Sequence, residues 1–519
     1  MVLAGLLIYA FAGAVRLTRP ITDFYVAGAK VPALYNGMGI AAGFVAVLAY
    51  PALAGALAPG WRDAPLILGG GAGGLVLGGL LLAPYLRKFG GYTVPDFLGE
   101  RFSSATLRPL AVVAVFLCSF PALAALLVCL AVIITRIFAI DLAAGIGAAV
   151  AMLLLCTFMG GMRSGSLTGI AQYAVLLAGS VVALAILLWQ RGAASSGLDA
   201  SALLDALAKL KLDVLAAPDR VNQVALVFCL VTGTAALPHL VMRGFTARSV
   251  EEARTSFLFA VPLAGVVFLA APASAALLGG EIVPSGDVLA TVLIGLTATS
   301  AIAACLALGS GLLLAMANGL SYDLYFKSLD VTAPTERRLF IARACLLVVA
   351  ALAAAAAVTL PRTMLVLAGT AFSLAASGLL PVLLLGVWWK RVNGQGALAG
   401  MIAGLAVCIY YMLAPRYFPY AFYETSSAFS NATDLQAAAY ASLRQTYYVA
   451  GPQTRDAVAL LWEMKVRAIA NWWGVSGIFA GMFGVPVGLV VSIAVSLFTA
   501  APPKDVQSFV EDLRKAQPA

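Results

Sequence analysis

Apolar stretches of about twenty residues recur along almost the whole of this chain, separated by short polar connections. A helix that crosses a bilayer needs about 20 mostly apolar residues, because no water is there to satisfy an open backbone. Spans are predicted at 1–16, 33–57, 65–86, 109–135, 141–160, 168–190, 222–242, 256–279, 288–320, 339–360, 364–388, 395–413 and 474–499. The fold class expected is an all-α polytopic membrane protein with about 13 transmembrane helices. The stretch 288–320 is too long for one simple span and calls for a tilted helix or an included loop. Composition agrees: 62% of residues are hydrophobic and 11% charged, against about 25% charged in soluble domains. A soluble domain, a disordered chain and a nucleic-acid binder are thereby excluded.

The net charge of +9 then reads as orientation. The segment 1–14 carries no basic residue, and Arg16 and Arg19 follow it. A signal peptide places its charge before the apolar run, so this is read as a retained helix with its N-terminus outside. With alternating sides, 20 of the 32 Lys and Arg residues fall in inside segments, Arg243 and Arg248 among them. Of the rest, only Arg62, Arg136 and Arg362 occupy short outside loops. Short-loop charge sets topology, and an N-out, C-in arrangement follows. The membrane domain is placed at 1–500, its core at 33–413, an extracellular or periplasmic connection at 414–470, and a cytoplasmic tail at 501–519. That connection is read as a solvated loop with short surface helices, ending at the interfacial Trp472–Trp473 pair. The tail is too short for a signalling domain.

Chemistry-bearing motifs are few. The chain has no GxSxG, HExxH or phosphate-binding loop, no paired carboxylate inside a span, and one histidine. The seven cysteines lie in apolar segments without CxxC spacing. No enzyme activity, metal or cofactor is expected. Polar residues at membrane depth are therefore conspicuous, since they are costly and face the protein interior or a path. They include Asn36, Gln172, Thr232, Thr234, His239, Ser310, Asn318, Ser373 and Ser377.

Two spans read as interrupted. Residues 36–55 contain Gly37, Gly39, Gly43 and Pro51, and residues 231–239 contain Gly233 and Pro238. Interrupted helices at corresponding places in two halves point to a secondary-transporter binding site. Counting from the second span, they are the first and sixth of ten, the pattern of a five-plus-five inverted repeat.

The order of several motifs then resembles the sodium:solute symporter family, in particular its acetate-permease-like branch. They are Thr22-Asp-Phe-Tyr-Val-Ala-Gly28 before Asn36-Gly-Met-Gly-Ile-Ala-Ala42, and Tyr92-Thr-Val-Pro-Asp-Phe-Leu98 followed by Arg101-Phe102. Gly160-Gly-Met162 leads to Thr168 and Gln172-Tyr173, and Gly233-Thr-Ala-Ala-Leu-Pro-His239 runs on to Met242-Arg243. Ser321-Tyr-Asp-Leu-Tyr325, Ala371-Phe-Ser-Leu-Ala-Ala-Ser377 and Phe483-Gly-Val-Pro486 complete the set. The resemblance implies alternating-access symport of a small organic solute, a short monocarboxylate such as acetate or pyruvate, in the bacterial inner membrane.

It also implies a sodium ion between the first core helix and the eighth. Its carbonyl positions fall at Ala42, Val45 and Ala304, and its two hydroxyl positions at Ala307 and Leu308, where no hydroxyl is present. Ser310 is one turn away. An acidic residue common in acetate permeases is Gly43 here, and a nearby serine is Ala46. Coupling to Na⁺ and coupling to H⁺, with His239 as the titrating group, both stay open. So does a degenerate member acting as a membrane sensor or scaffold. No Lys or Arg lies in the middle of either interrupted span, so a bound anion is expected at helix N-termini. Its expected neighbours are Gly43, Phe44, Tyr50, Gln172, Thr232, Gly233, Thr234 and His239. Partners are the small organic anion, the bilayer and, by the resemblance, a small membrane subunit.

Overall fold

The computed structural model describes residues 20–53, 64–194, 219–277, 288–361, 363, 367 and 369–515. Among them all regular structure is helical, apart from two isolated bridges, Val31 with Ala247 and Ser430 with Trp472. Ten described helices are long and apolar enough to cross a membrane, and two shorter apolar ones, Ala33–Ala46 and Leu142–Thr157, stand at two further expected spans. The expected span 1–16, most of the connection 191–221 and the last four residues of the tail lie outside the described residues.

In chain order, α1 (Ile21–Val26) precedes α2 (Ala33–Leu53). Next come α3 (Ala64–Leu81), its kinked continuation α4 (Ala83–Phe89) and the short α5 (Val94–Phe102). The long α6 (Leu107–Phe138), α7 (Leu142–Thr157) and α8 (Gly161–Ala194) follow. The chain continues with α9 (Arg220–Ala236), α10 (Pro238–Thr246), α11 (Val250–Leu277) and α12 (Val288–Asn318). The last of these runs on into a π-helical segment, Gly319–Leu329. It therefore exceeds the predicted 288–320 as one element rather than dividing. Then come α13 (Thr335–Thr359), α14 (Ala371–Gly378), α15 (Leu380–Trp388) and α16 (Gly394–Tyr417).

Three helices, α17 (Pro419–Ser426), α18 (Asp434–Val449) and α19 (Pro452–Ile469), fill the connection 414–470. The α18 start is fixed by a capping box, with Thr433 and Gln436 satisfying each other's backbone N–H groups. Trp462 holds the three together, with ring centroids 4.2 Å from Tyr420, 5.8 Å from Tyr440 and 5.2 Å from Tyr447. The last elements are α20 (Gly481–Phe498) and the tail helix α21 (Lys504–Arg514).

Lipid tails are as apolar as leucine, so membrane helices associate through close packing of small residues rather than hydrophobic drive. The α16–α20 seam shows this directly. Gly396, Gly400 and Gly404 recur every four residues on α16 and face Gly484, Gly488, Ser492 and Ser496 on α20. A Cβ at Gly400 would stand 1.8 Å from Ser492 Oγ, and one at Gly404 would stand 2.5 Å from the Ser377 carbonyl. The same device joins α3 to α9, where a Cβ at Gly74 would stand 2.6 Å from the Thr234 Cβ.

One end of the bundle is basic and is sealed by polar contacts. The Arg101 side chain is fully buried and donates to the carbonyls of Gly386 (2.8 Å), Trp389 (3.3 Å) and Val392 (3.4 Å), beyond the last turn of α15. A cation there opposes the negative helix end. Burial lowers this guanidinium to about 10, so it stays charged at neutral pH. The tail helix α21 docks at the same end through Val510 and Leu513, an edge contact between Phe509 and Phe89 (6.1 Å) and a Lys390–Glu511 ion pair (2.6 Å).

Candidate functional site

Four helices meet around the short α10, and the local sequence explains how. Residues before proline are pushed out of the helical region. Leu237, with φ −58° and ψ 119°, breaks the chain between α9 and α10 as the Gly233–Pro238 pattern predicts. The first expected interruption is different. α2 is one continuous helix from Ala33 through Pro51 to Leu53. Its glycines serve close approach instead of a break. A Cβ at Gly37 would stand 2.9 Å from the Ser256 carbonyl of α11, and one at Gly39 would stand 2.2 Å from Arg243 Nη1 of α10.

α10 is stapled in place at its far end. Asn36 Nδ2 donates to the Arg243 carbonyl (2.7 Å) and to Ser256 Oγ (3.3 Å), and Thr246 Oγ1 donates to Asn36 Oδ1 (3.2 Å). The backbone N–H of Val31 donates to the Thr246 carbonyl (3.1 Å). Every side chain of α10 is buried.

His239 stands between α2 and α12. Its Cδ2 lies 4.0 Å from where a Cβ at Gly43 would be, and its own Cβ 3.3 Å from one at Gly311. The side chain is 3% exposed, and neither ring nitrogen has a hydrogen-bond partner. Next to Gly311, Ser310 Oγ is buried without a partner. On α8, Gln172 Nε2 reaches Cys156 Sγ (3.7 Å), while its Oε1 and the Ser166 hydroxyl are buried and unpartnered. Buried polar atoms are nearly always hydrogen-bonded in native proteins. His239, Ser310, Ser166 and Gln172 are such exceptions, on α10, α12 and α8, with α12 packed against the other two.

The structure divides the expected solute neighbours. Gly43 and His239 meet at this junction, whereas the Gln172 amide of α8 reaches Cys156 of α7. Phe44 points to α3, where its Cζ would stand 1.9 Å from a Cβ at Gly71. Thr234 also faces α3, with its hydroxyl buried and unpartnered. Gly233 lies against the Phe372 backbone of α14, a Cβ there being 2.5 Å from its carbonyl oxygen. Thr232 donates to the Phe228 carbonyl one turn back (2.6 Å), a bond internal to α9. Tyr50 is in the last turn of α2, and its side chain lies outside the described residues.

The expected cation positions are buried on the packed pair α2 and α12: Ala42 and Val45 on the first, Ala304, Ala307, Leu308 and Ser310 on the second. Both helices are continuous there, which commits main-chain carbonyls to intrahelical bonds.

Sequence reasoning missed the strongest charge in the region. Arg243 was assigned to an inside loop, and a bound anion was assigned to helix N-termini for want of a nearby cation. The structure shows where the Arg243 side chain goes. It turns back into the bundle, 5% exposed, with its guanidinium between Gly39 of α2 and Gly169 of α8. The signal was in the spacing: Arg243 is four residues from His239, hence on the same helix face, and Gly39 and Gly43 repeat that interval opposite.

A second polar cluster closes the basic end. Asp323, in the π-helical segment, is fully buried and accepts from Thr93 Oγ1 (2.7 Å), with its Oδ1 unpartnered. Tyr25, Tyr92 and Tyr322 stack around it, and Tyr25 donates to Ser321 Oγ (3.1 Å). Asp96 lies 3.6 Å from Arg108 and 3.7 Å from Lys327; burial still pushes its carboxyl above the usual range. None of these side chains forms a metal-ligating group with others, and no cluster of three or more His, Cys, Asp or Glu exists among the described residues.

The described helices form a multi-pass membrane bundle, packed through glycines and interrupted at Leu237, and the family that the sequence matches makes the chain a transporter and not an enzyme. The chain belongs to the sodium:solute symporter family, whose model matches residues 24–284 and 285–404. It is similar to an uncharacterised symporter of Cupriavidus necator, 29% identical with 98% of this chain and 92% of that protein covered. It is also similar to the uncharacterised symporter YwcA of Bacillus subtilis, 26% identical over 78% of this chain and 83% of that one. Among solved structures, a Na⁺-coupled sialic acid symporter in a substrate-bound outward-open state shares the fold, with a TM-score of 0.66, 16% identity and 96% of each chain covered. Membership of this family supports cation-coupled symport of a small solute.

Proposed function

We propose that this protein moves a short monocarboxylate, such as acetate or pyruvate, across the bacterial inner membrane together with Na⁺. Alternating access would operate on a five-plus-five repeat core at 33–413, with the N-terminus outside and the C-terminus in the cytoplasm. The observation that carries the reading is the junction of α2, α8, α10 and α12. His239 and Ser310 bring unpartnered polar atoms to these packed helices, and Gln172 adds one on α8. The solute site is assigned to Gly43, Phe44, Tyr50, Gln172, Thr232, Gly233, Thr234 and His239, and the cation to the region of Ala42, Val45, Ala304 and Ser310. Ala and Gly walls suit a short aliphatic acid.

Proton coupling is the second reading, and one observation favours it. Ala307 and Leu308 offer no hydroxyl, and hard cations such as Na⁺ depend on oxygen ligands. A sensor or scaffold, and a small membrane subunit as partner, are outcomes the same experiment addresses. The purified chain is reconstituted into proteoliposomes and given labelled acetate or pyruvate under an imposed Na⁺ or H⁺ gradient. Uptake driven by the Na⁺ gradient is expected. Uptake that follows only the H⁺ gradient assigns the coupling to protons. Binding without any uptake refutes transport by the chain alone and favours a sensor or a missing subunit.

A further inference from the structure

We propose that Arg243 is the anion anchor of this transporter: its guanidinium pairs with the carboxylate of the solute. The inference rests on the symport reading above and adds the charged group that the solute must match. Three observations carry it.

Arg243 as a residue is only 5% exposed, yet none of the ion pairs among the described residues includes it. Among the described residues no hydrogen-bond acceptor meets its nitrogens; the hydrogen bonds of Arg243 involve its backbone carbonyl. A buried, unpaired cation is costly to a fold. The other buried arginine, Arg101, shows what a structural arginine looks like here: its head is occupied by three carbonyls.

The surroundings are also cleared for this head. A Cβ at Gly39 would stand 2.2 Å from Nη1 and 2.7 Å from Cζ, and one at Gly169 would stand 3.2 Å from Nη2. Any larger residue at Gly39 displaces the guanidinium. Finally, His239 lies one turn earlier on the same face with both ring nitrogens unpartnered, next to Gly43 and Gly311. The planar fork of arginine accepts a carboxylate through two parallel N–H···O bonds. A neutral solute of the same shape leaves the charge unpaired, which is where discrimination arises.

The test is ligand-induced thermal stabilisation of the purified full-length protein in detergent. Sodium acetate and sodium pyruvate are compared with acetamide added to sodium chloride and with sodium chloride alone, all at matched sodium. The carboxylates are expected to stabilise the wild type and acetamide and chloride to leave it unchanged. Arg243→Gln should weaken carboxylate binding at least tenfold, and Arg243→Lys less. Gly39→Ala keeps the charge but moves it, so it should weaken binding even where Arg243→Gln lowers the unliganded midpoint. Equal stabilisation by acetamide or by chloride overturns the inference, as do Arg243→Gln and Gly39→Ala proteins that titrate like the wild type. Arg243-dependent carboxylate binding without gradient-driven uptake supports the anchor and refutes symport. Uptake of a neutral solute unaffected by Arg243→Gln keeps symport and removes the anchor.

Discussion

Replacing Gly404 with alanine adds one methyl group to the tightest seam of the bundle. The new Cβ would stand 2.5 Å from the Ser377 carbonyl and 3.0 Å from that of Gly484. Both obstacles are backbone, on α14 and α20, so no side-chain rotation relieves them. Reaching an ordinary 3.4 Å contact requires α16 to move by 3.4 − 2.5, or about 0.9 Å, from α14. A gap of about 0.5–1 Å already forfeits a quarter to a half of each dispersion contact along the seam. Overpacking costs about 1–3 kcal/mol in a close-packed core, and the value here belongs at the upper end, because lipid offers no hydrophobic compensation for separating helices. Gly265 of α11 is the control, since a Cβ there meets nothing within 4 Å. The assay is thermal unfolding of the purified protein, followed by a thiol-reactive dye that reports exposure of buried cysteines such as Cys408 and Cys229. Gly404→Ala should lower the midpoint by about 3 °C, from the usual scaling of unfolding entropy with chain length, while Gly265→Ala leaves it in place. Equal midpoints would refute the claim that backbone proximity, rather than general bulk, sets the α16–α20 packing.

Two further outcomes follow from the basic end. Arg101→Ala strips the carbonyls of Gly386, Trp389 and Val392 of their donor; it should cost about 3 kcal/mol, read as a lower midpoint in the same dye assay and only partly restored by lysine. The carboxyl of Glu511 is held below its usual range by the hydrogen bond that Lys390 donates across the docking contact. A folded value below the unfolded one stabilises docking above pH of about 4 and loses that contribution as pH falls through the folded value. α21 should therefore detach in acid and remain docked at neutral pH, measured by protease cleavage after residue 500, and Lys390→Ala should shift detachment to higher pH.

How much of this was legible in the sequence depends on which physical term decides each feature. The spans were legible because bilayer thickness imposes one length, and described helices stand at the positions expected from residue 33 onward. The break at Leu237 was legible because proline acts on its immediate neighbour. The continuity of α2 was not. Gly37, Gly39, Gly43 and Pro51 form the same local pattern as a broken helix, and whether such glycines break a helix or admit a neighbour depends on what packs against them. Here Ser256 and Arg243 do. Sequence alone also placed Phe44 and Thr234 with His239, whereas Phe44 and Thr234 turn to α3 at Gly71 and Gly74.

Arg243 shows why a charge count and a site reading can conflict over one residue. Counting by segment, it joins the basic residues of a loop and supports an orientation. Followed by helical spacing, it shares a face with His239, and Gly39 and Gly169 leave room for its head inside the bundle. In the expected topology Arg243 is one of 20 basic residues counted inside, and removing one changes that signal little. A single guanidinium buried without a counter-ion changes the energetics of the core by far more. A solute that brings its own negative charge resolves the cost each time it binds, and binding energy of that kind is what a symporter needs to bias one conformation over another.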